Sequence, residues 1–221
     1  MTAAPEPDRN CPLCPRLHAF LAGWREREPT WFNAPVPAFL PIGGEDAVRL
    51  LIVGLAPGLR GANRTGRPFT GDYAGDLLYS TLISHGLARG KFEARPDDSL
   101  ELIGTAIVNA VRCVPPENKP VGAEINTCRT FLVPTIERFA NLEAILTLGS
   151  IAHQSTVRAL GGRVAAHPFK HGGQSRIGDL TLFSSYHCSR YNTNTGVLTT
   201  EMFVNVFDEI AGFLGSRGVG E

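Results

Sequence analysis

Fully apolar runs and helically spaced apolar residues alternate along this chain. Residues 49–54 form a short run whose centre, Leu50 to Val53, is apolar at every position, as in a strand covered on both faces. Residues 74–85 carry helical spacing instead, with Leu77, Leu78 and Leu82 on one stripe. The order then repeats: 104–110 strand, 123–139 helix, 144–149 strand, 150–160 helix, 180–186 strand and 199–214 a closing amphipathic helix. Ahead of this series, 16–28 predicts a helix and the Pro/Gly-rich stretch 28–44 an irregular arm. Strands alternating with helices predict an α/β fold, a single-domain α/β/α sandwich around a central, mostly parallel sheet. Ligands of such sheets sit outside the carboxyl ends of the strands. That rule gathers 54–72, the segment after Ala110, the turn at Gly149 and 186–196 around one crevice.

Composition narrows the picture. At 221 residues and 43% hydrophobic, the chain can bury a core, and its length fits one domain over 1–221, with an N-terminal arm of about 1–45. The formal net charge of zero argues against a fold-wide basic surface, so any nucleic-acid affinity rests on local asymmetry. Such asymmetry exists: Arg60, Arg64 and Arg67 stand together without an acid, and Arg163, Lys170 and Arg176 lie near His167 and His171. The first ten residues are polar and no run approaches the ~20 apolar residues a bilayer span needs, so a cytoplasmic protein without membrane contact is expected. The expected state is a monomer.

Three features carry candidate chemistry. The loop 54–72 contains five glycines and two prolines, which forbid regular helix over most of it, and closes with Phe69 and Asp72. It suits a ligand that is aromatic at one end and anionic at the other, as a nucleotide is. The second feature is a set of cysteines: Cys11 and Cys14 form a C-x2-C pair, and Cys113 and Cys128 complete a quartet that suits either zinc or an iron–sulfur cluster. Cys188 stands apart and reads as a small packing residue. The third is the loop 185–196, which offers His187 with hydroxyls and amides after a strand.

Taken together, GLAPG, GANRTGRPFTGD, NAVRCVPPENKP and SYHCSRYNTNTG resemble the uracil-DNA glycosylase superfamily, and more narrowly its iron–sulfur branch, type b or family five. The likeness runs from Cys11 to Phe203. It implies a [4Fe-4S] cluster on Cys11, Cys14, Cys113 and Cys128, structural in role. It also implies hydrolysis of the N-glycosidic bond of deaminated bases in double-stranded DNA, leaving an abasic site. By the same resemblance Asp72, His187 and Asn118 are the catalytic group. Gly54, Ala56, Gly58, Phe69 and Asn192 surround the base, with Phe69 stacking on it. Arg60, Arg64, Arg67, Ser189, Arg190 and Tyr191 meet DNA, the segment 189–193 pushing into the duplex.

Three departures from the wider superfamily matter. Leu55 and Ala56 stand where many members carry an Asn, Asp or Glu that activates water, which leaves Asp72 as the candidate base. Gly58 aligns with a tyrosine that blocks the thymine methyl, which implies a broader pocket accepting hypoxanthine, xanthine or ethenocytosine beside uracil. Cys188 replaces a proline common after the motif histidine. Two rivals remain: a damage sensor that flips bases without cleaving them, and a nucleotide- or flavin-binding iron–sulfur redox module. Against the second, neither G-x-G-x-x-G nor a P-loop occurs.

Overall fold

The apolar run Leu50–Gly54 (β1) is the centre of a five-stranded sheet in a computed structural model that describes residues 6–217. It pairs in parallel with Thr105–Asn109 (β2) on one side and Ala144–Leu148 (β3) on the other. Leu180–Ser185 (β4) continues the sheet in parallel beyond β3, and Gly173–Ile177 (β5) closes that edge antiparallel to β4. All residues of β1, β2 and β3 are buried, which is why these strands read as mostly apolar runs without polar alternation.

Helices cover both faces. On one, Leu50, Ile52, Ile107, Leu146 and Phe183 pack with Leu78 and Leu82 of Tyr73–Ser84 (α1) and with Phe203, Phe207 and Ile210 of Thr200–Arg217 (α2). On the other, Leu51, Val53, Val108, Ile145 and Leu182 pack with Leu132 and Ile136 of Gly122–Glu137 (α3) and with Ala152 and Val157 of Ser150–Ala159 (α4). Pro15–Arg27 (α5) belongs to the arm, and its Leu17 joins Val111 and Cys128 in a third apolar cluster. No helix among the described residues is long and apolar enough to cross a membrane.

The α/β/α architecture and the mostly parallel sheet agree with the sequence pattern. The strand β5 does not, because its run Gly-Gln-Ser-Arg-Ile is polar and half exposed at an edge. Two short helices, Ala62–Thr65 (α6) and Arg190–Asn194 (α7), interrupt the two loops read as irregular.

Candidate active site

The register of the sheet places Gly54 opposite Asn109 at the carboxyl ends of β1 and β2. Asn109 lines a cavity together with Ala56, Gly58, Phe69, Asp72 and His187, with Pro57, Ala62 and Ala74 completing the wall; Gly54 itself is not part of the lining. A Cβ on Gly54 would meet Asn109 Oδ1 and lie 2.7 Å from Phe69 Cζ. The glycine therefore permits the amide and the ring to close over the strand end.

Phe69 is held in an unusual backbone conformation, φ 52°, and its ring is 6% exposed. A non-glycine residue there costs free energy that the surrounding contacts must offset. The contacts are visible: Arg67 Nε donates to Thr70 Oγ1 at 2.8 Å, Thr65 Oγ1 donates to the Thr70 carbonyl at 3.0 Å, and Tyr79 Oη donates to the Pro68 carbonyl at 2.5 Å. The Phe69 ring lies against the His187 imidazole, centroids 5.8 Å apart and planes 28° from parallel.

Asp72 precedes α1 at the rim of the cavity. The residue is exposed, yet its Oδ2 faces the backbone turn of 58–61: a Cβ on Gly58 would stand 2.8 Å from it and one on Gly61 would overlap it. Desolvation raises the carboxyl above the usual range, the N–H groups of Ala74 and Gly75 pull it back, and Asp76 adds a smaller upward push. His187 follows β4, and burial lowers its imidazole to about 4, so the ring is neutral at pH 7. The loop behind it is pinned where Asn192 Nδ2 donates to the His187 carbonyl at 2.8 Å and Ser189 Oγ accepts from the Asn192 N–H. Asn192 thus fixes the loop rather than lining the cavity.

Two of the expected residues lie outside the positions their roles suggested. Asn118 lies on an exposed turn, at φ 56°, away from the cavity lining; the asparagine at the cavity is Asn109, buried at the end of β2. Arg67 does not face solvent. Its guanidinium donates two hydrogen bonds to Asp98, both 2.7 Å, with the Asp98 side chain fully buried, and it sits among the rings of Phe39, Tyr79 and Phe92. Arg60, Arg64, Arg190 and Tyr191 are exposed; Arg190 lies over the Tyr73 ring and Tyr191 is 74% accessible.

Cys11, Cys14, Cys113 and Cys128 line a second cavity together with Leu17 and Phe131. Burial raises the thiols of Cys113 and Cys128, the latter to about 11, and in both the neighbouring sulfurs push further upward. The Arg112 N–H donates to Cys128 Sγ at 3.2 Å. Four sulfurs around one apolar recess are a donor set that zinc or an iron–sulfur cluster could use. Among the described residues, no three His, Cys, Asp or Glu converge closely enough to hold a single ion. Ala56 packs against this cluster while also lining the first cavity. Cys188 is fully buried below the His187 loop, its thiol directed at the Ala74 carbonyl and pushed up to about 12 by burial.

Comparison with known proteins gives one consistent answer. The family model of the Uracil DNA glycosylase superfamily matches residues 41–211. A type-5 uracil-DNA glycosylase of Thermus thermophilus is 43% identical over 210 residues, covering 90% of this chain and 91% of its own length. One from Pyrobaculum aerophilum is 35% identical, covering 93% and 90%, and one from Mycobacterium bovis is 38% identical, covering 90% and 76%.

Proposed function

Since the chain belongs to the uracil DNA glycosylase superfamily, we propose that it hydrolyses the N-glycosidic bond of uracil in double-stranded DNA, leaving an abasic site. The observation that carries this reading is the convergence of one carboxylate, one neutral imidazole, one amide and one aromatic ring on a single cavity at the strand ends. Bond cleavage builds positive charge on the sugar and negative charge on the departing base. A base in a stacked duplex is out of reach, so it must be flipped out. Phe69 offers the face against which the flipped base stacks, and Tyr191, exposed on the 185–196 loop, is the proposed side chain that fills the gap it leaves.

The Asn109 amide, with a donor and an acceptor, matches the edge of a pyrimidinedione. Neutral His187 donates a hydrogen bond to the developing oxyanion of the leaving base, a preorganised term of the order of 3–4 kcal/mol. Asp72 stabilises the cationic sugar or orients the attacking water. With Ala56 and Leu55 in the first motif, no other carboxylate lines the cavity.

The small residues Ala56, Gly58, Ala62 and Ala74 along the wall support acceptance of hypoxanthine, xanthine and ethenocytosine. The structure adds to the reading of Gly58 that the Asp72 carboxylate, rather than empty space, stands where a side chain at 58 would begin. The four cysteines are the proposed ligands of a [4Fe-4S] cluster, a reading supported by their sharing one recess beneath the arm. Held by these four residues, the cluster would tie the arm to the core, the structural role that the resemblance implies.

The test is incubation of anaerobically purified protein with labelled duplexes carrying uracil or hypoxanthine, scoring alkali-sensitive abasic sites. Base release from several lesions supports the proposal in full. Tight binding to uracil-containing duplex without base release overturns it in favour of a sensor.

A further inference from the structure

A groove on the far side of α6 from the base cavity is walled by Trp31 and Phe32 of the arm, by Arg9, by Arg64 and by Arg95. Among the described residues no carboxylate lines it. Among the described residues the guanidiniums of Arg9 and Arg64 make no hydrogen bond or ion pair. Arg95 is engaged only by exposed Glu93 and Asp97, at 3.1 and 3.8 Å, contacts of little strength in water. Trp31 is stacked on Trp24, centroids 5.5 Å apart and planes 2° from parallel, so one ring of the pair is stiffened by the other.

The groove is bolted to the base cavity. The Phe32 N–H donates to the Arg64 carbonyl and the Asn33 N–H to the Asn63 carbonyl, both at 3.0 Å, while Asn63 Nδ2 donates to Asn33 Oδ1 at 2.8 Å in the buried layer beneath. Within α6, Ala62 lines the cavity and Arg64, two residues on, lines the groove. The Arg64 guanidinium also lies beside Gly71, next in sequence to Asp72. A polymer that delivers one unit to the cavity would pass Arg64 on its way to Trp31.

We propose that this groove is a subsite for the DNA strand flanking the flipped nucleotide, Arg9, Arg64 and Arg95 meeting successive phosphates and Trp31 and Phe32 offering an apolar face to sugar and base. Two guanidiniums without partners and a third held only by exposed acids, interleaved with aromatic rings, are the chemistry of a nucleic-acid track. The assignment rests on the glycosylase reading for the identity of the polymer.

The test compares wild type with Arg9→Gln/Arg95→Gln and, separately, Trp31→Leu. Each binds a long uracil-containing duplex and duplexes truncated close to the lesion on one side or the other, over a range of salt. Each phosphate contact contributes about 0.9 to the slope of log K against log salt. The double variant is therefore expected to lose between one and two units of slope on the long duplex, with binding weakened about tenfold or more. On the duplex truncated on the groove side, wild type and variant are expected to bind alike. Equal slopes on the long duplex overturn the proposal, as does an equal deficit on every truncated duplex. Melting of each variant near the wild-type temperature establishes that the fold is intact. If wild type binds but releases no base, the glycosylase reading fails while the slope still tests the track; if it releases base and the slopes match, the track alone fails.

Discussion

Asp98→Asn is the sharpest probe of how the catalytic loop is held. In the wild type, Asp98 receives both arms of the Arg67 guanidinium at 2.7 Å, and it also accepts from the Glu93 and Leu100 N–H groups at 2.9 and 3.1 Å. Burial alone would raise this carboxyl, but those bonds and the guanidinium charge outweigh it and hold it below the usual range. The substitution keeps shape and removes the charge, leaving Arg67 buried and unpaired with its side chain 7% accessible. Breaking such a pair from one side costs about 3–5 kcal/mol. The rings of Phe39, Tyr79 and Phe92, 5.3–5.8 Å from the guanidinium carbon, return of the order of 1–2 kcal/mol. A net loss of about 1–4 kcal/mol is expected, at its upper end a large share of a typical domain's stability. Urea unfolding followed by tryptophan fluorescence reads it. Arg67→Met/Asp98→Asn, which removes the stranded charge as well, is expected to recover part of the loss. Because Arg67 also anchors Thr70, base release should fall in the single variant more than stability loss explains. A single variant within 1 kcal/mol of wild type, or a double variant less stable than the single, would refute the reasoning.

Other outcomes follow from the same geometry. Asp72→Asn is expected to lower the single-turnover rate of base release ~100-fold or more; near-normal turnover removes Asp72 from its role. In the wild type that rate should fall as pH drops through the raised Asp72 pKa, with no step near 6.5 from His187, whose folded value is about 4. A step near 6.5 that vanishes in His187→Asn would show the ring to be ordinarily basic. His187 also links stability to pH: its folded pKa lies below its unfolded one, so between about 6.5 and 4 the unfolded chain binds the extra proton. Stability is therefore full above that window and declines through it by at most about 3 kcal/mol, a decline that His187→Asn should shallow in urea melts at successive pH values. Gly58→Ala presses a methyl against Asp72 Oδ2, 2.8 Å away, and should reduce base release at least tenfold with little change in melting temperature.

The parallel strands are legible because burial on both faces replaces polar alternation with mostly apolar runs. The edge strand β5 was hidden by the opposite condition: its alternation is half-buried against exposed and its only large apolar residue is Ile177. In the site, Asp72, Phe69 and His187 stood in glycine-rich or polar loops after strands, where the fold rule directs attention. Asn109 was missed because one polar residue at the end of an apolar run reads as the strand's stop, although it opens the NAVRC motif already noticed. Arg67 misled because it was counted with Arg60 and Arg64; its partner Asp98 lies 31 residues on, and no local pattern reports such a pair. The cysteine spacing leaves zinc and an iron–sulfur cluster both open, since it fixes which sulfurs can meet and not what they hold.

The place of β1 in the sheet has a consequence for how the protein is made. It emerges from the ribosome before any other strand of the sheet, yet it lies between β2 and β3, so that Ile52 pairs with both Ile107 and Leu146. One edge stays open until residues 105–109 have been synthesised and the other until 144–148 have followed. During that interval a wholly apolar strand is available to any similar strand nearby, including the same segment of another nascent chain. Long-range parallel pairing of this kind folds slowly, so synthesis rate and chaperone supply govern the yield of protein whose finished sheet hides every residue of that strand.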